Sequence, residues 1–306
     1  MDIEPNMRQQ IAKYASALTS FSSSSASFRI IHSLPATTTL PPPKILYILD
    51  SSFNPPTLAH LRIATSALFK DSLPSPSPKR LLLLLAIQNA DKAPKPAPFE
   101  QRLALMQVFA SDLLSSISEE TRTSGEVGID IGVTKCPYFI DKAAAIENSA
   151  EYPRDAQQVH MTGFDTLIRI MNPKYYGPEH SLKVLEPFFQ KNRLRVTYRT
   201  DDEWGSRKTQ DDYLADIENG ERDEDGASRE WVTEGRIEMC EGRQDGDEII
   251  SSTKVRKAAK EKDKSALGRL VTDGVADWVL KEDLYTEIDQ TIIGAKKFFS
   301  PYYTKF

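Results

Sequence analysis

The stretch Ile45–His60, which reads ILYILDSSFNPPTLAH, decides how the rest of the chain is interpreted. Its first five residues, Ile45–Leu49, are apolar and have the length of a buried strand. The turn-forming run Ser51–Pro56 follows, and Thr57–Phe69 then carries apolar residues at helical spacing after a Pro-Pro start. A strand that passes through a short turn into a helix opens a βαβ unit, so this stretch predicts a parallel sheet.

Alternating strands and helices are predicted along most of the remaining sequence. The further predicted strands are Leu81–Ile87, Val127–Val133, Gln158–Met161, Arg193–Tyr198 and Arg236–Met239. The further predicted helices are Phe99–Leu114, Tyr138–Ile146, Phe164–Met171, Thr253–Lys260, Ser265–Leu270 and Val275–Leu280. This order predicts an α/β fold: a Rossmann-like, doubly wound, mostly parallel sheet with helices on both faces and a C-terminal helical segment. Such sheets bind ligands beyond the carboxyl ends of their strands, near the point where the strand order reverses.

Residues 1–43, 201–235 and 286–306 fall outside this alternation. In the first segment, Arg8–Phe21 has helical apolar spacing and is followed by a run of prolines and threonines, so we expect a packed helix and a linker. The second segment is rich in Asp and Glu and is expected to be a solvated or partly disordered insertion. We therefore predict one main domain over residues 44–285, which contains the acidic insertion, and a C-terminal tail.

Composition and charge argue against several classes of protein. The 306 residues carry a net charge of −5, which is not the basic balance of a nucleic-acid-binding domain. Cys136 and Cys240 form no CxxC pair and the four histidines lack metal-ligand spacing, so neither a disulfide scaffold nor a protein-held metal is expected. The longest apolar run, Leu81–Ile87, is too short to cross a bilayer. With no secretory pattern at the N-terminus, we expect a protein of the cytoplasm or nucleus without membrane or nucleic-acid partners, and its oligomeric state stays open.

The junction between Ile45–Leu49 and the helix after it has the features of an anion site. A helix that starts directly after a strand offers free main-chain N–H groups and the positive end of its dipole. Thr57 and His60 are three residues apart at this helix start, so both can face one ligand. The sequence therefore predicts phosphate binding here, in preference to a plain turn followed by a surface histidine.

The run Ser52-Phe53-Asn54-Pro55, followed by Thr57-Leu58-Ala59-His60, resembles the (H/T)xGH signature of the nucleotidyltransferase superfamily. The likeness is to the form seen in eukaryotic nicotinamide mononucleotide (NMN) adenylyltransferases, and the fungal branch is the one we expect. Two positions depart from this form, because Ser51 and Ala59 each stand where a glycine is usual. A serine Cβ can narrow the approach of a nucleotide to the backbone, so the first departure bears on catalytic rate more than on fold.

A second candidate phosphate site is Ile250–Arg256, which reads ISSTKVR. Serine and threonine are good helix N-caps, and the hydroxyl and N–H groups of such a helix start can hold the β- and γ-phosphates. Arg256 adds a planar fork for bidentate phosphate binding. A plain capped helix with solvated basic residues is the alternative. The segment matches the full ISSTxxR signature of the same superfamily and differs from the RTxGxST form of the cytidylyltransferase branch.

The resemblance also implies roles for residues between the two signatures. Gly163 allows a close backbone approach, Asp165 hydrogen-bonds a ribose or a nearby group, and an aromatic residue stacks on the nicotinamide ring. The implied acceptor-binding residues are Lys92 (or Lys95), Tyr176 (or Tyr175) and Arg199. The implied ATP-binding residues are Ser52, Phe53, Thr57, His60, Gly163, Asp165, Ser252, Thr253 and Arg256, and the catalytic pair among them is His60 and Arg256.

The activity that the resemblance implies is adenylyl transfer from ATP to NMN, which yields NAD and pyrophosphate. Mg²⁺ is expected to be carried on the ATP phosphates, with no metal site on the protein. Two alternatives stay open. The acceptor could be nicotinate mononucleotide or another phosphate monoester. The chain could also be an ATP-binding or ATP-hydrolysing regulatory protein with little transferase activity, an idea that Ser51, Ala59 and the acidic insertion motivate.

Overall fold

A computed structural model describes residues 4–36, 41–71, 79–87, 96–124, 127–199, 204–242 and 248–286. Within these ranges the chain forms one seven-stranded sheet in the spatial order β1-β4-β3-β2-β5-β6-β7. The strands are β1 Phe28–Leu34, β2 Ile45–Asp50, β3 Lys79–Ala86, β4 Val127–Thr134, β5 Gln157–Gly163, β6 Arg193–Thr197 and β7 Ile237–Cys240. β1 runs antiparallel to β4, and every other neighbouring pair is parallel. The predicted mostly parallel α/β sheet is therefore confirmed.

Helices connect the parallel strands, as the crossover geometry of such a sheet requires. They are α1 Glu4–Ser23, α2 Leu58–Lys70, α3 Phe99–Ser124, α4 Phe139–Asn148, α5 Phe164–Ile170, α6 Glu186–Phe189, α7 Arg207–Asn219, α8 Glu230–Thr233, α9 Ser252–Lys260, α10 Lys264–Leu270 and α11 Asp273–Lys281. Two short 3₁₀ turns, Pro173–Tyr175 and Leu182–Leu185, precede α6. None of the helices in the described ranges is long and apolar enough to cross a membrane.

Side chains alternate between the two faces of the sheet, as strand geometry requires. On β2, Tyr47 and Leu49 belong to the core that α1, α2, α3 and α9 to α11 cover. Ile48 faces the other side, where α4 to α8 pack. Because both faces are covered, β3 is buried at every position after Lys79, which explains its unbroken apolar run. Each fully buried leucine there contributes about 1.5–3 kcal/mol relative to an exposed one.

The N-terminal segment contains a strand that the sequence analysis did not predict. β1 lies inside residues 1–43, which were expected to hold only a helix and a linker, and it pairs with the free edge of β4. The predicted helix is present as α1 and packs on α3, where the Tyr14 hydroxyl donates to Gln107 Oε1 at 2.7 Å. Phe21 of the same helix is fully buried. The segment is therefore part of the sheet and its core.

The acidic stretch is folded over the residues described, 204–235, so of the two alternatives expected for it, solvated or partly disordered, partial disorder is wrong there. It contains α7 and α8, and its side chains enter the second core through Leu214, Ile217 and Trp231. The Trp231 ring stacks on Phe189 with the ring centroids 4.6 Å apart. The apolar residues of this stretch are few, but they recur at helical spacing, and together they bury one face while the acidic side chains cover the other.

Candidate functional site

A cleft of about 540 Å³ opens at the carboxyl ends of β2, β5 and β6. The last residues of these strands, Asp50, Gly163 and Thr197, all line it. β2 has β3 on one side and β5 on the other, so the strand order reverses at this point. The cleft thus occupies the position at which doubly wound sheets bind ligands, and its volume is in the range of small-molecule sites.

His60 lies in the first turn of α2 with both ring nitrogens engaged. The main-chain N–H of Thr57 donates to Nδ1 at 3.0 Å, and the Ser51 hydroxyl oxygen is 2.9 Å from Nε2. Because Nδ1 accepts a hydrogen bond, it carries a lone pair, and the ring proton is assigned to Nε2, which donates to Ser51. The bond from Thr57 is also one half of a capping box, in which the third helical residue satisfies the N–H of the N-cap.

The surroundings of His60 keep its ring uncharged at neutral pH. Burial, together with the smaller effect of the positive charge of Arg199, lowers the pKa of His60 to about 4. A protonated ring would also turn Nδ1 into a donor that faces the N–H of Thr57. The neutral ring keeps one hydrogen-bond donor, at Nε2.

The other residues of the first signature build the wall around this ring. Thr57 is the N-cap of α2, is 1% exposed and lines the cleft. Phe53 is fully buried at φ 44°, a left-handed conformation that bulky residues rarely adopt, and its ring centroid lies 5.3 Å from that of His60. Ser52 is exposed. Phe53 therefore acts on the site through its packing against His60.

The second signature begins α9 beside the same cleft. The Ser251 hydroxyl accepts a hydrogen bond from the main-chain N–H of Lys254 at 3.3 Å, so it is the N-cap. Ser251 and Ser252 line the cleft. Of the nine predicted ATP-binding residues, those that line the cleft are Thr57, His60, Gly163, Asp165 and Ser252, and those that do not are Ser52, Phe53, Thr253 and Arg256.

Two hydrogen bonds join the two signatures directly. The Ser252 hydroxyl donates to the main-chain carbonyl of Pro55 at 3.0 Å. Arg256 donates from Nη1 to the carbonyl of Asn54 at 2.9 Å and from Nη2 to the Thr253 hydroxyl at 3.0 Å. The turn after β2 and the start of α9 are thereby held together, and the segments predicted to share one ligand are neighbours in the fold.

Gly163 and Asp165 meet Arg199 on the β5–β6 side of the cleft. Arg199 Nε donates to Asp165 Oδ1 at 2.8 Å. A Cβ on Gly163 would come within 2.5 Å of that carboxylate oxygen and 3.2 Å of Arg199 Nε, so only glycine leaves room for the pair. Gln210 of α7 fixes the main chain of Arg199: its Oε1 accepts from the Arg199 N–H at 3.1 Å, and its Nε2 donates to the Arg199 carbonyl. The acidic stretch therefore supports this side of the site.

The predicted acceptor-binding tyrosines line the cleft, whereas the predicted lysines are not among the described residues. Tyr176 lines the cleft, but its hydroxyl donates to the main-chain carbonyl of Ile170 at 2.6 Å and its ring packs against the second core. Tyr175 also lines the cleft and is 39% exposed, so it offers more of its ring to a ligand. Lys92 and the alternate Lys95 lie outside the described residues.

Three cleft residues were missed by the sequence analysis. Tyr138 follows β4, lines the cleft and is 50% exposed. Lys142, one turn further along α4, forms an ion pair with Asp50 at 2.5 Å, and both residues line the cleft. In the sequence, only their position after a predicted parallel strand indicates that these residues lie near the site, because the loops after such strands meet at the same edge of the sheet.

The arrangement suits the binding of a phosphate-bearing nucleotide. Helix α2 points its N-terminal end at the site, and hydroxyl groups from Ser51 and Ser252 line the cleft beside it. The carboxylates of Asp50 and Asp165 are each paired with a cation, Lys142 and Arg199 respectively. Within the described ranges, no group of three or more histidine, cysteine or acidic residues is arranged to hold a metal ion.

Comparison with known proteins gives a relative in fission yeast. Over 185 residues the chain is 36% identical to a protein of Schizosaccharomyces pombe named "Putative nicotinamide mononucleotide adenylyltransferase". The match covers 60% of this chain and 64% of the relative, so it spans somewhat less than two thirds of the relative's length. No protein-family model matches the chain.

Solved structures also match the chain, at lower sequence identity. A Plasmodium falciparum nicotinic acid mononucleotide adenylyltransferase complexed with NaAD has 14% identity and a TM-score of 0.48, and the match covers 78% of this chain and 96% of that one. A Vibrio parahaemolyticus structure titled as a "Putative Nicotinate-nucleotide Adenylyltransferase" has 17% identity and a TM-score of 0.33, with 79% and 96% coverage. The resemblance to NMN adenylyltransferases that the two signatures predict is confirmed by the yeast relative.

Proposed function

We propose that this chain is a nucleotidyltransferase of the NMN adenylyltransferase type, which transfers the adenylyl group of ATP to NMN and releases pyrophosphate. The observation that carries the proposal is the contact between the two signatures beside the cleft, through Ser252 on Pro55 and Arg256 on Asn54. The yeast relative, which has the matching name, supports the same activity.

The reaction needs no protein base. The 5′-phosphate of NMN is already ionised at neutral pH, and one of its oxygens attacks the α-phosphorus of ATP. A new P–O bond forms as the bond to the β-phosphate bridging oxygen breaks, and pyrophosphate leaves with that oxygen. The protein's task is to align the two phosphates in line and to stabilise the charge that develops on them.

The helix starts of α2 and α9 would hold the triphosphate. Both present free N–H groups and dipole ends to an anion, and neither requires a change of protonation to do so. His60 has a neutral N–H donor at Nε2, which bonds the Ser51 hydroxyl at the cleft wall, and Ser252 offers a second hydroxyl there. Arg256, which does not line the cleft, would act by fixing the turn at Asn54 or by turning toward the phosphates when ATP binds.

The two nucleosides would lie on either side of this phosphate region. We assign the ATP ribose to Asp165, whose carboxylate is held by its ion pair with Arg199 at the carboxyl ends of β5 and β6, and Arg199 stays a predicted acceptor contact. The acceptor ring would stack on an exposed tyrosine, with Tyr175 and Tyr138 better placed than the more buried Tyr176. Lys92 stays a predicted acceptor contact, and Lys142 is the cleft-lining cation to test beside it.

Mg²⁺ is proposed to arrive with ATP and to be held mainly by phosphate oxygens and water. The chemistry of the cleft fits this, because Asp50 and Asp165 are both engaged by cations and are poor candidates for a dedicated metal cage. The metal ion would neutralise charge on the leaving pyrophosphate. We further propose that residues 44–285 form the catalytic domain and that the protein works in the cytoplasm or nucleus.

The decisive experiment is product analysis with the purified full chain. ATP and Mg²⁺ are incubated with NMN, and NAD, pyrophosphate, ADP and inorganic phosphate are quantified. The expected result is NAD and pyrophosphate in equal amounts. A parallel reaction with nicotinate mononucleotide determines the acceptor preference. Formation of ADP and phosphate without any dinucleotide, at high enzyme concentration, would refute transferase activity and support the ATP-hydrolysing alternative.

A further inference from the structure

The Ser51 hydroxyl group is within hydrogen-bond distance of a ring nitrogen of His60. In the signature that this chain resembles, glycine is usual at this position, so there the histidine has no such neighbour. Here Ser51 Oγ lies 2.9 Å from His60 Nε2, and both side chains line the cleft. The main chain of Ser51 is held as well, since its N–H donates to the carbonyl of Leu84 at 3.2 Å. The serine is therefore built into the site at a fixed place.

The hydrogen atoms of this pair can be assigned from the contacts. Nδ1 of His60 accepts from the Thr57 N–H, so the single proton of the neutral ring is on Nε2. Nε2 then donates to Ser51 Oγ, which leaves the hydroxyl proton of Ser51 without an acceptor among the described residues. A hydroxyl that accepts one hydrogen bond becomes a better donor in another, because the bonds of a chain polarise each other.

We propose that Ser51 presents this proton to a phosphate oxygen of ATP and that His60 is a positioning residue that acts through it. The hydroxyl takes over the contact that the resemblance assigns to the histidine ring. The low pKa of His60 supports this arrangement, since a neutral ring with Nδ1 as acceptor has only Nε2–H to offer, and that hydrogen is already directed at Ser51. The inference rests on the proposed function for the identity of the nucleotide.

Two substitutions at one position separate this role from a structural one. Ser51→Ala removes the hydroxyl and leaves a methyl group on the ring, so we expect kcat/KM to fall about 10- to 100-fold, as for loss of a hydrogen bond to a charged group. Ser51→Gly restores the usual glycine and lets the phosphate reach His60 Nε2, so its kcat/KM should be clearly higher than that of Ser51→Ala. If Ser51 had only a structural role, Ser51→Gly would lose more activity than Ser51→Ala, because glycine costs more backbone entropy on folding than alanine does. Ser111→Ala, at an exposed serine of α3, is the matched control.

A double-mutant cycle with His60→Asn tests whether the two residues act as a unit. Asparagine can still accept from the Thr57 N–H, but it cannot reach Ser51 as Nε2 does. If His60 works through Ser51, the double variant Ser51→Ala/His60→Asn loses little more activity than Ser51→Ala alone. Losses that multiply would show independent roles and overturn the proposal.

A spectroscopic readout keeps the test independent of turnover. With ¹⁵N-labelled histidine, the ring resonances of His60 are assigned by comparison with His60→Asn, and α,β-methylene-ATP is added. We expect a small shift of Nε2 in the unmodified chain and a larger one in Ser51→Gly, where the ring touches the phosphate directly. Equal shifts in the two proteins would overturn the inference. Because this arm needs only nucleotide binding, it stays informative if no NAD is formed, and that outcome would count against the proposed function alone.

Discussion

Arg256 donates a hydrogen bond from Nη1 to the main-chain carbonyl of Asn54 at 2.9 Å, and the two residues are 202 positions apart in the chain. A second contact, from the Ser252 hydroxyl to Pro55, lies beside it. The turn after β2 and the start of α9 are therefore in direct contact, although each carries a different signature. Arg256 therefore holds the main chain of the turn in which we propose a phosphate site.

Arg256→Lys is expected to weaken this connection while keeping the positive charge. A lysine ammonium is a single point donor and cannot bond both the Asn54 carbonyl and the Thr253 hydroxyl in the same geometry as the guanidinium fork. We expect the free energy of unfolding in urea to fall by about 1 kcal/mol and the KM for ATP to rise several-fold. Arg269→Lys, at an exposed arginine of α10, is the control and should leave both quantities unchanged. An Arg256→Lys protein with an unchanged KM would exclude a role of this contact in ATP binding.

His60→Asn is expected to reduce turnover far more than stability. The asparagine oxygen can accept from the Thr57 N–H and keep the start of α2 intact, whereas the donor at Nε2 is lost. We expect kcat/KM to fall about 10- to 100-fold, as for Ser51→Ala, because the ring acts through the Ser51 hydroxyl. The melting temperature should change by only a few degrees. His180→Asn, at an exposed loop histidine with φ 47° that asparagine tolerates, should behave as the unmodified chain does.

Stability should decrease as the pH falls below about 6.5, the ordinary pKa of a histidine. Burial lowers the pKa of His60 to about 4 and that of His160 to about 3, with smaller contributions from Arg199 and Lys142 respectively. The unfolded rings take up protons near pH 6.5 and the folded ones do not, so each contribution is complete above that pH. The contribution of His60 to stability is lost as the pH falls from about 6.5 toward 4, and that of His160 as the pH falls from about 6.5 toward 3.

Urea unfolding between pH 7.5 and 4.5 measures this effect. We expect the free energy of unfolding to drop by roughly 1 kcal/mol per pH unit for each of the two histidines within that window. His160→Phe should flatten the slope, since phenylalanine can take the place of the ring between Phe139 and Phe188 and does not titrate. An identical slope in this variant would mean that His160 does not carry its assigned share.

Gln210→Ala is expected to loosen the ribose side of the cleft. The Gln210 side chain is fully buried and both of its amide atoms bond to the main chain of Arg199, which carries the partner of Asp165. Truncation removes both hydrogen bonds to the main chain of Arg199 and leaves a gap at a fully buried position, and we expect a loss of about 2 kcal/mol in the free energy of unfolding. The KM for ATP should rise with little change in kcat. Gln190→Ala, at an exposed glutamine, is the matched control.

The sheet could be predicted from the sequence because its central strands carry strong local patterns. β3 is buried along nearly its whole length, and its apolar run allowed no other interpretation. β1 was missed because FRIIHSL has only one fully buried residue and is a strand through its pairing with β4, which no local pattern encodes. α7 was missed for a related reason, since Leu214 and Ile217 are sparse among charged residues and only their packing on the second core defines the helix.

The signatures located the site, but they did not specify its contacts. The two signatures are short runs that can be recognised from their residue types, and the fold brings them together. The bonds from His60 to Ser51 and from Lys142 to Asp50 depend on distances between side chains of different elements or turns, which the order of residues does not determine. From the sequence, Ser51 is expected to narrow the approach of a nucleotide to the backbone, whereas in the fold its hydroxyl is a hydrogen-bond partner of His60.

The antiparallel pairing of β1 with β4 has a practical consequence for handling the protein. A shortened version that begins at residue 44 would keep every signature residue. It would, however, expose the main-chain N–H and C=O groups of β4 that pair with β1. It would also lack Tyr14 and Phe21, which are buried in the core. An open strand edge of that kind is a template on which other chains can add. We therefore expect the shortened version to self-associate more readily than the full chain, because the pairing with β1 that covers this edge of β4 is lost.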